Sequence, residues 1–282
     1  MGKKTKELLE KLEKGIEQVR SSEEFREMLE FFSKFYNYSL NNQILIQQQR
    51  PGATHVAGYK KWQKLGRQVQ KGEKGIKILA PMTFKKTVEE ESENGEIVEK
   101  EKKITYFRPV TVFDISQTEG DPIPSIDLSL KNNFGEILNP LLKFADKKNI
   151  KVDFKTAEED PILTDGCHGY SSGGYIAIKT TDQNETEQAS CLVHELAHEL
   201  LHKDNTEGVT KEIKELEAEA VAFIVMDHYN VELKSSKYLA LYKKTYDLKE
   251  SLGRISKVSK QIIDFTKDKI RNENQKGMKK TA

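Results

Sequence analysis

The residues best suited to do chemistry in this chain are His194, Glu195 and His198, which stand in the order His-Glu-Leu-Ala-His. Asn184, with Glu187 three residues on, reads as the cap of a helix carrying Ala189, Leu192, Leu196, Leu200 and Leu201 on an apolar side. Residues four apart on a helix leave the same face with roughly 6 Å between their stems, so both imidazoles reach one tetrahedral metal ion. Glu195 lies about 100° round the helix, where a carboxylate can act as general base on water without ligating the metal. Three protein ligands leave a fourth position open, the arrangement of a catalytic Zn2+ site, and peptide-bond hydrolysis is the chemistry that follows.

Periodicity nominates a third ligand. The run Lys211 to Val221 carries Glu215, Glu217 and Glu219, and its buried stripe is Ile213, Leu216, Ala220, Val221 and Ile224. At about 100° per residue Glu217 falls inside that stripe, Glu215 points nearly opposite and Glu219 lies off it. A carboxylate on a buried face needs a metal or a partner, so Glu217 is the expected ligand, with Glu219 in reserve. The competing reading pairs Glu217 with a buried Lys or Arg. His202 gets no ligand role, since a histidine near a helix end more often meets the terminal carbonyls. Cys191 fills core space, Cys167 and His168 line a loop, and His55 and His228 have no partners in sequence.

The elements that must hold these residues point to an α+β chain of two domains, as expected for 282 residues. The N-terminal domain, residues 1–122, mixes helices with antiparallel strands. Helices are expected over residues 5–20, from the Ser21 capping box to about Tyr38, over 39–50, and over Tyr59–Leu65, closed by Gly66. Val69, Ile76 to Leu79, Thr105 to Phe107 and Val110 to Phe113 mark strands. Glu89 to Lys103, nearly all charge around Asn94-Gly95, suits a projecting hairpin or a mobile loop. The turn-rich stretch Glu119 to Ser125 divides the domains. Residues 126–250 form a mainly helical domain that carries the metal helix and a small sheet, using strands at Val152 to Phe154 and Tyr175 to Ile178, and residues 251–282 form a helical extension with a frayed tail. The strand Gly174 to Lys179 is expected to offer its edge to an extended peptide.

Charged residues make up 32% of the chain, yet the net charge is only +1, so attraction to a polyanion must come from a local patch. No run approaches the roughly 18 apolar residues of a bilayer span, and two distant cysteines suit a reducing compartment. The expectation is a cytoplasmic protein with no membrane partner. The local patch lies between Pro51 and Ala80, where Lys60, Lys61, Lys64, Arg67, Lys71, Lys74 and Lys77 face one acid, Glu73, around Tyr59 and Trp62. Basic groups that follow phosphates, with rings that stack on unpaired bases, are what single-strand binding uses. A solvated basic face with Trp62 in the core is the alternative, and the charge pattern does not choose between them.

Several motifs resemble the ArdC-like antirestriction proteins of plasmids and conjugative elements and their LtrC-like relatives. They are Asn41-Asn42-Gln43-Ile44-Leu45-Ile46, Trp62 with Gly66-Arg67 and Lys71 to Gly75, Val112 to Gly120, His194 to His198, and Glu217-Ala218-Glu219-Ala220-Val221-Ala222. The resemblance covers nearly the whole chain to about residue 265. It implies an N-terminal domain that binds single-stranded DNA, with Lys60, Lys61, Trp62, Lys64, Arg67, Lys71 and Lys74 as candidate contacts. It also implies a C-terminal zincin similar to the ImmA/IrrE metallopeptidases, with Zn2+ held by His194, His198 and Glu217 and a protein or peptide as substrate. The segment Gly166-Cys167-His168-Gly169-Tyr170 departs from the aromatic pair that relatives tend to have there. Two other functions remain open: a DNA-protecting protein whose zincin is idle, and an ImmA-like protease that cleaves a repressor without touching DNA.

Overall fold

A computed structural model describes residues 7–8, 10–11, 22–91, 97–122, 135–163, 168–180, 185–203, 209–231 and 248–280. Most of the helix expected over residues 5–20, Ser21, Gly166, Cys167 and the cap Asn184 lie outside the described residues. The α+β, two-domain expectation holds, but the division differs from a single cut. One compact unit comprises residues 1–18 and 41–123, the other residues 19–40 and 124–282.

Helix α1 (Ser22–Lys34) is the piece that moves across the expected boundary. Its apolar stripe, Phe25, Met28, Leu29 and Phe32, is buried in the second unit and not in the domain that follows it in sequence. Helical spacing shows that a helix has a buried face, and says nothing of which neighbour covers it.

The first unit runs from α2 (Leu40–Gln49) through β1 (Val56–Ala57), α3 (Tyr59–Lys64), β2 (Arg67–Val69), β3 (Ile76–Glu91) and β4 (Ile97–Asp114) to β5 (Thr118–Gly120). The sheets have the orders β1-β4-β3 and β2-β5, all antiparallel. Strand β3 is an edge, and α2 covers part of it with amides. Asn42 brackets Leu79, donating to its carbonyl and accepting from its N–H at 2.9 Å each, and Gln49 brackets Lys77 likewise at 2.8 and 2.9 Å. Two side chains seven apart on a helix thus act as a partial neighbouring strand for residues two apart on β3, satisfying backbone groups an edge would leave open. Buried Asp114 accepts from the N–H groups of Thr54, His55 and Ser116, while Gln117 accepts from the Asp114 N–H and donates to Glu73 and the Lys74 carbonyl. Burial works to raise the Asp114 carboxyl, but the bonds from Ser116, Thr54 and His55 hold it below the usual range.

The second unit adds α4 (Gly135–Lys147), β6 (Lys151–Lys155), β7 (Gly169–Ser171), β8 (Tyr175–Lys179), α5 (Glu185–Leu201), α6 (Lys211–His228) and α7 (Leu248–Lys280). Its sheet has the order β6-β8-β7, with β8 parallel to β6 and antiparallel to β7. The strand expected to offer an edge is therefore central, with both edges paired; the outer strand nearest it in sequence is β7, too short to announce itself by alternation. Gly169 permits its approach to α5, since a Cβ there would stand 2.6 Å from the Cys191 sulfur. Helix α7 is no extension: Leu252, Ile255, Ile262 and Ile263 are wholly buried, and it packs against α4 and α6.

Where α1 meets α6, the His228 ring lies against Tyr36 and Tyr229, with Nδ1 3.2 Å from the Ser33 carbonyl. Burial pushes its pKa down from the ordinary 6.5 to about 4. The unfolded chain then binds more protons than the folded one between those values, so stability falls as pH drops through that window. Denaturant titrations from pH 7 to pH 4 are expected to lose on the order of 3 kcal/mol more in the wild type than in His228→Gln, which keeps a donor for Ser33 without the titration. Parallel curves for the two proteins would contradict a neutral buried His228.

Candidate metal centre

On α5, His194 and His198 project one turn apart, with ring centroids at 4.8 Å and Nε2 atoms 3.1 Å from each other. The carboxylate that meets them comes from α6, whose first turn is capped by the Thr210 hydroxyl. Glu215 Oε2 lies 3.4 Å from His194 Nε2 and 3.6 Å from His198 Nε2. Two donors bound about 2.0 to 2.1 Å from a tetrahedral ion stand roughly 3.3 Å apart, so the triangle of 3.1, 3.4 and 3.6 Å fits one face of such a coordination shell. Among the described residues, these three form the one group of His, Cys and acidic side chains with metal-ligand proximity.

The electrostatics suit a cation. Burial works to lower the His194 pKa, but its hydrogen bonds to Glu215 and Glu219 outweigh that and push it up to about 9. The bonds from His194 and His198 hold the Glu215 carboxyl far below the usual carboxylate range. A proton and a metal ion compete for the same lone pairs, so a site that draws positive charge this strongly is one a divalent cation can fill.

The other two glutamates of the run serve the histidines from behind. Glu219 Oε2 lies 3.4 Å from His194 Nδ1, on the side of the ring turned away from the cluster. Glu217 is wholly buried and does not reach the cluster, which corrects the expectation that it is the third ligand. Its carboxylate accepts from Ser251 Oγ at 2.6 Å and from the Arg254 guanidinium, both on α7, and stands 3.1 Å from His202 Nε2. Burial works to raise its pKa, and the bonds from His202, Arg254 and Ser251 win, leaving it below the ordinary value. Helix phase located the buried acid correctly, but its partner lies 37 residues on, in a helix the phase argument never weighed. A signal for Glu215 was present: Glu215 and Glu219 are four apart, as His194 and His198 are, so facing helices can match them pairwise.

His202 links these groups. Its Nδ1 is 3.2 Å from His198 Nδ1, and its Nε2 faces Glu217. If His198 turns Nε2 to the cluster, its Nδ1–H donates to His202, and the His202 Nε2–H donates to Glu217; every proton in the chain then has an acceptor. Glu195 is 7% exposed, and burial pushes its carboxyl above the ordinary range against the pull of His194 and His198 and a hydrogen bond with Ser171 on β7. It lies beside the cluster without belonging to it.

The basic segment of the first unit is only partly available. Trp62 is 1% exposed and its indole N–H donates to the Phe113 carbonyl at 2.8 Å, so it is a core residue and has no face for a base. Arg67 is occupied by Thr118 and the carbonyls of Gly120 and Asp121. Lys60, Lys61, Lys64, Lys71 and Lys74 are exposed. No helix among the described residues is long and apolar enough to cross a membrane.

Comparison with known proteins also divides the chain in two, although α1 falls within the N-terminal match and not with the second unit. Residues 2–113 match the N-terminal domain of anti-restriction factor ArdC, and residues 144–266 match the IrrE N-terminal-like domain of the M78 peptidases. An uncharacterized protein of Bacillus anthracis is 30% identical over 94% of this chain, which spans about half (52%) of that relative's length. Crystal structures of the antirestriction protein ArdC from the R388 plasmid, metal-free and Mn(II)-bound, are similar at 19% and 17% identity, with TM-scores of 0.47 and 0.45, over 83% of this chain and 86% of theirs.

The two glutamates separate by experiment. Glu215→Gln should cut divalent-metal affinity by more than the 10 to 100-fold that loss of an orienting group costs. Glu217→Gln should instead lower the stability of the metal-free protein by roughly 2 to 4 kcal/mol, because the wholly buried end of its ion pair with Arg254 loses its charge. Calorimetric metal titration with thermal unfolding reads both, and the reverse pattern would restore Glu217 as ligand.

Proposed function

In a chain that joins an ArdC-type N-terminal domain to an IrrE-like peptidase domain, we propose a zinc metallopeptidase coupled to a single-stranded DNA-binding domain, acting in antirestriction for a mobile element in the cytoplasm. The observation that carries the peptidase reading is the donor triangle of His194, His198 and Glu215 with the buried Glu195 beside it. Two imidazoles and one carboxylate are a donor set that suits Zn2+ and leave a fourth position for substrate or water. When bound there, the ion supplies Lewis-acid polarisation of the scissile carbonyl and of the attacking water. Glu195 would take a proton from a water held there and pass it to the leaving amine, a task favoured by a carboxyl that burial holds above its ordinary range. Glu219 and His202 hold the two imidazoles with Nε2 turned inward. The substrate adds as an extended strand along the outer edge of β7, because β7 ends the sheet and its Ser171 touches Glu195.

Antirestriction rests on the ArdC-type domain, and the exposed lysines 60, 61, 64, 71 and 74 are its proposed contacts with phosphates. The burial of Trp62 favours a second reading, a protease that cleaves a repressor without DNA contact.

Metal content of the purified protein beside Glu195→Gln, with proteolysis followed in host lysates, tests the enzyme. Zinc retained by both and cleavage by wild type alone is the expected result; cleavage by Glu195→Gln, or no bound metal in either, removes the reading. For the other domain, charge reversal at Lys60, Lys61 and Lys64 should weaken binding to a single-stranded oligonucleotide and flatten its salt dependence by about 0.7 in log–log slope for each phosphate no longer neutralised. Unchanged binding would remove these lysines as contacts, and absence of single-strand binding by the wild type supports the second reading.

A further inference from the structure

Single-strand binding, on which this inference rests, needs exposed rings as well as cations, and the core position of Trp62 leaves that need unmet near Lys60. The rings stand elsewhere. Strands β3 and β4 pair from Ile76↔Val112 to Glu91↔Ile97, a two-stranded ribbon far longer than its buried base. Opposed residues of an antiparallel pair share a face, and faces alternate along each strand. One face begins at the base with Ile76, Ile78 and Val112, all buried. It continues outward through Ala80↔Arg108, Met82↔Tyr106, Phe84↔Ile104 and Lys86↔Lys102, and there the core no longer covers it. Phe84 is 45% exposed and Tyr106 47%, with ring centroids 5.7 Å apart and planes at 68°.

Charge is sorted between the two faces. The opposite face carries the exposed Phe107 opposite Pro81, the Thr83–Thr105 contact and the Lys85–Glu101 ion pair at 2.7 Å, so its described acid is paired. Among described side chains, the aromatic face bears Arg108, Lys86 and Lys102 and no acid. A second copy of this chain would bring those cations against their own kind, which disfavours self-association. Among the described side chains, a peptide would find apolar surface but no acid to pair its basic groups. Unpaired nucleic acid satisfies both features, since its bases offer faces to Phe84 and Tyr106 while its phosphates meet the flanking cations.

We propose that the aromatic face of the β3–β4 ribbon binds single-stranded nucleic acid, with bases stacked on Phe84 and Tyr106 and phosphates near Lys86 and Arg108. The site is distinct from the lysines around α3 and accounts for the exposed Phe84, Ile104 and Tyr106, which the fold of the first unit does not use.

Trp62 is the chain's one tryptophan and is buried, so Phe84→Trp in the full chain places a single exposed indole on this face. Adding an oligo-dT single strand should quench that fluorescence saturably, with affinity close to wild type. Phe84→Ala/Tyr106→Ala should lose at least about ten-fold in affinity for the same strand, with thermal unfolding unchanged. Quenching by a duplex of equal length should be weaker. Wild-type affinity in the double alanine variant, together with an unquenched indole in Phe84→Trp, overturns the ribbon site while leaving single-strand binding elsewhere intact. Absence of any single-strand binding by the wild type overturns both readings. A sedimentation shift showing wild-type dimers that the alanine pair dissolves would identify the face as a self-association surface instead.

Discussion

The ion pair between Glu217 and Arg254 is the constraint on which the metal centre depends. Glu217 is wholly buried, and a carboxylate there without compensation would take up a proton or force the helices apart. Arg254 and Ser251 compensate it from α7. That pairing fixes the rotation of α6 about its own axis, because Glu217 has one place to go. Once the rotation is set, Glu215 and Glu219 stand on the flank of α6 turned to α5, four residues apart against histidines four apart. The site is thus a consequence of a buried polar contact on the neighbouring side of the same helix. Helix α7, at the far end of the chain, becomes a structural part of a centre to which it gives no ligand.

The same contact joins the orienting groups. His202 bridges Glu217 to His198, so the carboxylate that sets the helix also sets a tautomer in the centre. Glu219 performs the second task for His194 alone. One three-acid run, with one residue between successive acids, divides into a donor to the cluster, an anchor to α7 and an orienter. Alternate spacing on a helix turns successive acids by about 200°, so neighbours in the run must face different partners. Those three environments also hold the carboxylates apart, relieving the repulsion that three acids within five residues would otherwise exert.

How much of this was legible in the sequence follows from the range of each signal. The α5 histidine pair and the adjacent Glu195 are local, and a helix of period 3.6 places them together wherever it packs. The strands at Ile76 to Leu79 and Val110 to Phe113, and the short helix closed by Gly66, are local too, with Gly66 adopting the positive φ of 71° that its position asks of it. What stayed hidden depends on contacts between distant segments. The burial of Glu217 was readable from phase, but whether a buried acid meets a metal or an arginine is decided by α7. The assignment of α1 to the second unit, and of α7 to its core, are decisions of the same kind. Trp62 shows the limit in the opposite direction: an aromatic among lysines looks like a stacking platform until the Phe113 carbonyl is seen to claim its N–H.

The ribbon extends this logic to a place where pattern and packing part company. At its base the alternation of β3 and β4 does what alternation does in any half-buried sheet, sending Ile76, Ile78 and Val112 inward. Asn42 and Gln49 hold that base by its edge, so the strands leave the core with their register already set. Farther out the alternation persists in Met82, Phe84, Ile104 and Tyr106 although no core remains to reward it. Large exposed apolar residues on a strand pair cost solubility and invite edge association, which natural sheets suppress with charge. The lysines and arginine on this face supply that charge without interrupting the rings. A surface that keeps its apolar residues and whose described charged side chains are all basic is selective for partners of the opposite sign.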